Sequence, residues 1–420
     1  MNDNNNKSVI FQIGIIGILF FIFGFITWAN GTLITYLKIA CELNDTQSYF
    51  VASAFFAAYF IMAIPSSYIL KITGFKKGMS LGLLVMAIGA ALFIPAAQTR
   101  TYTLFLTGLF IIGTGLALLQ TASNPFVTIL GPIESAAQRI SIMGICNKIA
   151  GILAIYVLGG IALKNADEIK ANLLVLTGND KEALLDNLAN RVVMPYIVIA
   201  SALLILAVVI YFINMPEPPE EVEDQNKEHK DERTSVLQFP YLLLGAFAIF
   251  FYVGVEVISY DTFIGFGEHL GYKLDMAKNF PTYTGYALLA GYVFNIVAIP
   301  KFISQQKAML FLTVLSIILV VLSMFTKGST AIVCFMLLGF SNSVMWPAIW
   351  PLAIEKLGKF TKIGSAFLIM GIVGGAVLPP LYAQFSTIIG NLQLAYCIMI
   401  PCYLYLLFYA TVGHKIGKTK

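Results

Sequence analysis

Apolar residues run along this chain in stretches of about 20, separated by short polar segments, and such stretches recur twelve times. At 1.5 Å per residue each is long enough, as a helix, to cross about 30 Å of hydrocarbon. The pattern predicts spans near 9–36, 47–70, 78–97, 102–130, 138–163, 192–214, 240–266, 280–299, 307–325, 330–354, 363–389 and 392–413. The N-terminal Met-Asn-Asp-Asn-Asn-Asn-Lys has no charged region leading into a short core and a small-residue cleavage site, so the first stretch reads as a retained span. A hydrophilic segment from Met215 to Gln238, with Pro216, Pro218, Pro219 and a run of acids, reads as a linker. It divides the chain into a six-helix half (1–214), a linker (215–239) and a second six-helix half (240–420).

Composition agrees with a membrane protein. Hydrophobic residues make up 58% and charged residues 11%, against roughly 25% charged in soluble domains. Basic residues set the expected orientation. With the N-terminus inside, short inner segments hold thirteen Lys and Arg and outer ones nine, four of the nine in one long loop, 164–191. Both termini are therefore expected in the cytoplasm. The net charge of +4 is accounted for by this anchoring and implies no nucleic-acid partner.

The five Cys form no Cys-x-x-Cys pair, and the three His, at 229, 269 and 414, all fall outside the spans. That leaves no residues for a membrane-embedded metal centre or His-dependent acyl transfer, so no enzyme activity and no metal site are expected. The candidate chemistry is the rare charge within the spans: Lys148, Glu256 and Asp261. A charge in hydrocarbon costs at least about 2.5 to 3.5 kcal/mol, so it survives with a partner or a water-filled cavity. Glu256, near the middle of the seventh span, is the first candidate for ion coupling. Asp261 is the second, although its place nearer the outer face, about 140° around the helix from Glu256, reads as a solvated helix end. Lys148, about ten residues into the fifth span, lies too deep to snorkel and is expected to face inward, as a donor to a ligand, a counter-charge to an acid, or half of a fixed ion pair.

The two halves also resemble each other. Ile142-Met143-Gly144-Ile145 reappears as Ile369-Met370-Gly371-Ile372, and Gly113 and Pro125 align with Gly339 and Pro351 at nearly the same offset. Parallel six-helix repeats of this kind resemble the major facilitator superfamily, with a substrate site between the halves near the midplane. The expected fold is thus an all-α bundle of twelve transmembrane helices in two six-helix pseudo-repeats.

A closer resemblance rests on Gln120-Thr121-Ala122-Ser123-Asn124-Pro125-Phe126-Val127-Thr128-Ile129-Leu130-Gly131-Pro132, on Phe20-Phe21-Ile22-Phe23-Gly24-Phe25 and on Gly364-Ser365-Ala366-Phe367. These are similar to the fourth, first and eleventh spans of the fucose/glucose/galactose permease family. Where the fucose branch carries an Asn-Asp pair this chain has Asn30-Gly31, and where that branch has Glu it has Gln120, so it is more similar to the glucose/galactose branch. The resemblance implies a secondary active transporter importing a hexose by alternating access, coupled to H+ or Na+. It implies no other cofactor, a bacterial cytoplasmic membrane, lipid around it and a monomer. The alternatives are an N-acetylglucosamine or fucose symporter, a facilitative uniporter, and a transporter-like sugar receptor.

The residues expected to bind the sugar are Asn30, Gln120, Asn124, Asn147 and Asn342, whose amides supply both donor and acceptor, with Lys148. Trp28 and Trp346 join them because an indole face suits the C–H face of a pyranose. Trp350, nearer the cytoplasmic end, reads as part of the interfacial belt.

Overall fold

In the computed structural model, residues 2–129, 136–213, 234–299, 302–355, 357 and 360–418 are described. They are helical almost throughout. Ten stretches are long and apolar enough to cross a membrane. One of these, 53 residues from Thr46 to Gln98, holds two spans. A straight helix of that length would run about 80 Å; instead Gly74, at φ +73, folds the chain in the middle. Phe280–Ala298 is the remaining span. Tyr283, Tyr286, Tyr292, Thr282, Thr284 and Asn295 make it less apolar than the others, but it packs between Ala136–Ala162 and Gly328–Asn342. The described residues therefore contain the twelve expected spans, the first from Asn2–Trp28 and Asn30–Ala40 and the seventh from Pro240–Asp261 and Phe263–His269. The segment 214–233, most of the expected linker, lies outside the described residues.

Local chemistry sets several helix ends. Asn44 and Gln47 cap the second span reciprocally, the Asn44 side chain accepting from Gln47 N–H at 2.8 Å and the Gln47 side chain from Asn44 N–H at 3.1 Å. Span 10 breaks after Asn342 and resumes at Met345. Near that break, the Gln305 amide donates to the carbonyl of Pro347.

The repeat is visible in how the helices touch. A Cβ added to Gly113 in span 4 would lie 2.4 Å from Phe55 O in span 2, and one added to Gly339 in span 10 would lie 2.2 Å from Thr284 O in span 8. Spans 1 and 5 approach as closely at Gly24 and Asn147 O, and spans 11 and 7 at Gly374 and Phe250 O, both 1.8 Å by the same measure. In each case a bare glycine lets two backbones meet, as small residues do in membrane bundles. The halves share crossings but not always the glycine: Gly24 corresponds to Phe250, and Asn147 to Gly374.

An even number of spans leaves both termini on one face. On the opposite face, here called the loop face, the segment between spans 5 and 6 forms two helices, Ala166–Val175 and Asn179–Asn190. It ties the halves together. The Asp167 carboxylate accepts from the backbone N–H of Leu274 at 2.9 Å and of Asp275 at 2.8 Å, Lys170 pairs with Glu268 at 2.5 Å, and Lys278 Nζ donates to Leu163 O at 3.3 Å.

Candidate functional site

The close contact of spans 1 and 5 at Gly24 and Asn147 places Trp28, one turn further along span 1, over span 5. Its indole lies where a Cβ on Gly151 would be, 2.4 Å from Cδ1. From there Nε1 donates to Asn147 Oδ1 at 3.3 Å, and Asn147 Nδ2 donates back to Phe20 O at 3.3 Å. The next residue, Lys148, reaches across to the other half. Its Nζ is 3.2 Å from Glu256 Oε1, both side chains are less than a tenth exposed, and the ammonium sits 3.9 Å from the centre of the Trp28 ring. Trp28 also meets Tyr260, ring centres 4.2 Å apart.

A buried ion pair of this kind repays the loss of hydration only when geometry is good and further partners complete it. Trp28 supplies a cation–π contact, worth about 2 kcal/mol when desolvated. Removing either charged partner from such a pair costs about 3–5 kcal/mol. Because Lys148 and Glu256 belong to different halves, that energy depends on how the halves meet.

Other expected residues gather at neighbouring positions. Trp346 is half-buried, 6.4 Å from Tyr252 and stacked on Trp350 at 5.4 Å. The Trp350 indole is thus engaged with Trp346. Gln120, also half-buried, donates to Tyr59 Oη at 3.1 Å.

Three further expected residues are buried. Asn342 is fully buried and accepts from Tyr403 Oη at 3.0 Å, so it bridges spans 10 and 12 within one half. Asn30 is 1% exposed, and neither of its amide atoms has a hydrogen-bond partner. Asp261 is not a solvated helix end. It is 5% exposed, and its Oδ2 has no partner. The side chain of Asn124 lies outside the described residues.

Sequence reasoning missed Tyr59 and Tyr252 beside these residues, and Tyr292, which packs with Trp28 and Tyr260. Tyrosines are common along this chain, 20 in all, so no local signal separates these from the rest. It also missed Asp167, which looks like any loop acid. Partial burial opposes its ionisation, yet the N–H groups of Asp275 and Leu274, with Lys170 beside it, hold its carboxyl below the usual Asp range.

Twelve spans in two repeats, with buried polar groups meeting between the halves, describe a transporter rather than an enzyme. The profile of the Major Facilitator Superfamily matches residues 16–379, and the chain belongs to that superfamily. It is 35% identical over 421 residues to the glucose/galactose transporter of Brucella abortus biovar 1 (strain 9-941), covering 98% of this chain and 96% of that one. It is 29% identical over 416 residues to the L-fucose-proton symporter of Escherichia coli (strain K12), covering 96% and 93%. The crystal structure of the E. coli fucose:proton symporter superposes with a TM-score of 0.75 at 28% identity, covering 98% of this chain and all of that one.

Proposed function

We propose that this protein imports a hexose, glucose or galactose, across the bacterial cytoplasmic membrane by cation-coupled alternating access. Its termini face the cytoplasm and its loop face the exterior. The sugar class is supported by the 35% identity to a glucose/galactose transporter over nearly the whole chain, and the orientation by the excess of basic residues in the short segments on the side of the termini.

The observation that carries the mechanism is the Lys148–Glu256 pair. When the halves part on the loop face, both charges regain water; when they close, each needs the other. Asn147 and Gln120 offer amides to sugar hydroxyls, while Trp28 and Trp346 offer ring faces. A sugar that replaces the amides' present partners and lets the loop face close would convert binding into a conformational step, since a ligand moves such an equilibrium only through its preference for one form. The coupling ion, H+ or Na+, is assigned to the two carboxyls of span 7, Glu256 and Asp261. One cation moving through about 100 mV supplies about 2.3 kcal/mol, or roughly 50-fold accumulation at tenfold per 1.4 kcal/mol.

The test is uptake of radiolabelled glucose, galactose, fucose and N-acetylglucosamine into vesicles reconstituted with the purified protein, imposing proton and sodium gradients separately. Accumulation of glucose or galactose above the outside concentration under one of the two gradients is expected. Equilibration without accumulation under either gradient would identify a uniporter and remove the coupling.

A further inference from the structure

Asp261 is the buried carboxyl in span 7 for which the Lys148–Glu256 pair provides no counter-charge. Its surroundings come from both halves. Gly31, in span 1, lies so close that a Cβ there would be 3.1 Å from Asp261 Oδ1 and 3.4 Å from its Cα. The absence of a side chain at Gly31 is what lets the carboxyl seat against the backbone of the other half. Asp261 Oδ2 is buried without a hydrogen-bond partner, and so are both amide atoms of Asn30 and the hydroxyl of Thr32, the residues on either side of Gly31.

Ionisable groups on the surrounding elements are engaged elsewhere. Glu256 is paired with Lys148, Glu268 with Lys170, and Lys278 with Asp275 and the carbonyl of Leu163. Tyr260 packs on Trp28, and Tyr396 shares a hydrogen bond with Thr262. Lys38, on the same helix as Gly31, stands about two turns further toward the loop face. A lone carboxylate at such a position costs several kcal/mol, whereas the neutral acid costs far less.

The closed arrangement is therefore built for a carboxylic acid at Asp261. Once the halves part on the loop face, Asp261, Asn30 and Thr32 meet water together, and the carboxyl is free to ionise.

We propose that Asp261 is the proton-carrying group of this transporter: closure of span 7 against Gly31 takes one proton from the exterior onto its carboxylate. The inference rests on the cation-coupled reading above and names its ion and its residue. On closure, carboxylate and proton become the neutral acid. The acid gives the proton up to water admitted between the halves when the terminus face opens.

The experiment uses the full-length protein in weakly buffered proteoliposomes. For the parent, glucose or galactose added outside should alkalinise the external medium, and entry should slow as external pH rises. Asp261→Asn should bind and exchange labelled sugar but move no protons. Its entry should be insensitive to external pH, and accumulation should fall from about 50-fold to unity. Gly31→Asp combined with Asp261→Gly, which hands the carboxyl across the contact, should restore proton movement.

If Asp261→Asn does not reach the membrane, Asp261→Glu decides: its longer carboxyl should shift the pH dependence of entry, and an unchanged profile overturns the proposal. Asp261→Asn protein that still alkalinises the medium and accumulates sugar also overturns it, while leaving cation coupling intact. A parent protein driven by sodium alone overturns it as well. A parent protein driven by neither ion fails the functional reading first.

Discussion

Lys148 Nζ lies 3.2 Å from Glu256 Oε1, and the two side chains come from opposite halves of the molecule, 108 residues apart in sequence. Each carries its charge into a place less than a tenth exposed. Because the pair joins the two halves, its geometry depends on how they meet.

Removing one member should cost more than removing both. Lys148→Met leaves Glu256 buried without its counter-charge, a loss of about 3–5 kcal/mol, whereas Lys148→Met with Glu256→Leu replaces the pair by apolar surface at much smaller cost. Unfolding midpoints in detergent check this. Equal midpoints for the single and double variants would mean that the pair is not energetically coupled.

Glu256→Gln keeps the side chain's shape but strands the Lys148 ammonium when the halves close. Sugar affinity in detergent should stay within about threefold, since neither Asn147 nor Gln120 is disturbed, while accumulation in vesicles should be lost. A variant that concentrates sugar as well as its parent would remove the pair from the cycle.

Gln120→Ala and Asn147→Ala each take away a group able to hydrogen-bond a sugar hydroxyl. An unpaired buried polar group costs about 1–3 kcal/mol, so affinity should fall about five- to 150-fold, with normal amounts of protein in the membrane. Titration calorimetry with glucose and galactose reads the effect. Unchanged affinity in both variants would place the sugar elsewhere.

On the loop face, Asp167 should make the tether between the halves weaken in acid. Its carboxyl titrates below the usual Asp range in the closed arrangement. The stabilisation is therefore present above the ordinary Asp value of about 3.9 and is lost as pH falls through the lowered one. Spin labels at Leu174 and Met276, both exposed, should move apart as pH drops through that window. With Asp167→Asn the distance should not respond to pH.

Gly374→Ala sets a methyl 1.8 Å from Phe250 O, while Gly160→Ala meets nothing within 4 Å. The first should sharply reduce protein in the membrane and the second should not, as read by fluorescence-detected gel filtration. Normal yield of Gly374→Ala would mean that spans 7 and 11 cross with more room than the structure gives them.

Much of this was legible along the chain. Spans are local: about 20 apolar residues declare themselves without neighbours, and only Gly74 was needed to separate the two that run together as one helix. Lys148 and Glu256 stood out because a charge in hydrocarbon is too costly to be incidental. Gly113 and Gly339 marked the repeat because at that one crossing each half has a bare residue at the same place, whereas at the crossings of spans 1 with 5 and 7 with 11 the glycine lies on opposite partners.

The partners were not legible, and the reason lies in the solvent. In a soluble helix the polar face points to water, so periodicity shows which side is buried. In a membrane both lipid and neighbouring helices are apolar, so an amide or an acid in a span shows that it needs company but not from which side. Sequence could therefore place Asn342 and Asn147 equally well at a binding wall, and only the packing of span 12 gave one to Tyr403 while span 1 gave the other to Trp28. It could read Asp261 as a helix end, because nothing within a few residues reveals that Gly31, 230 positions earlier, leaves the space in which its carboxyl is buried. The chain determined which residues are costly in a membrane; the meeting of the two halves decided what balances the cost.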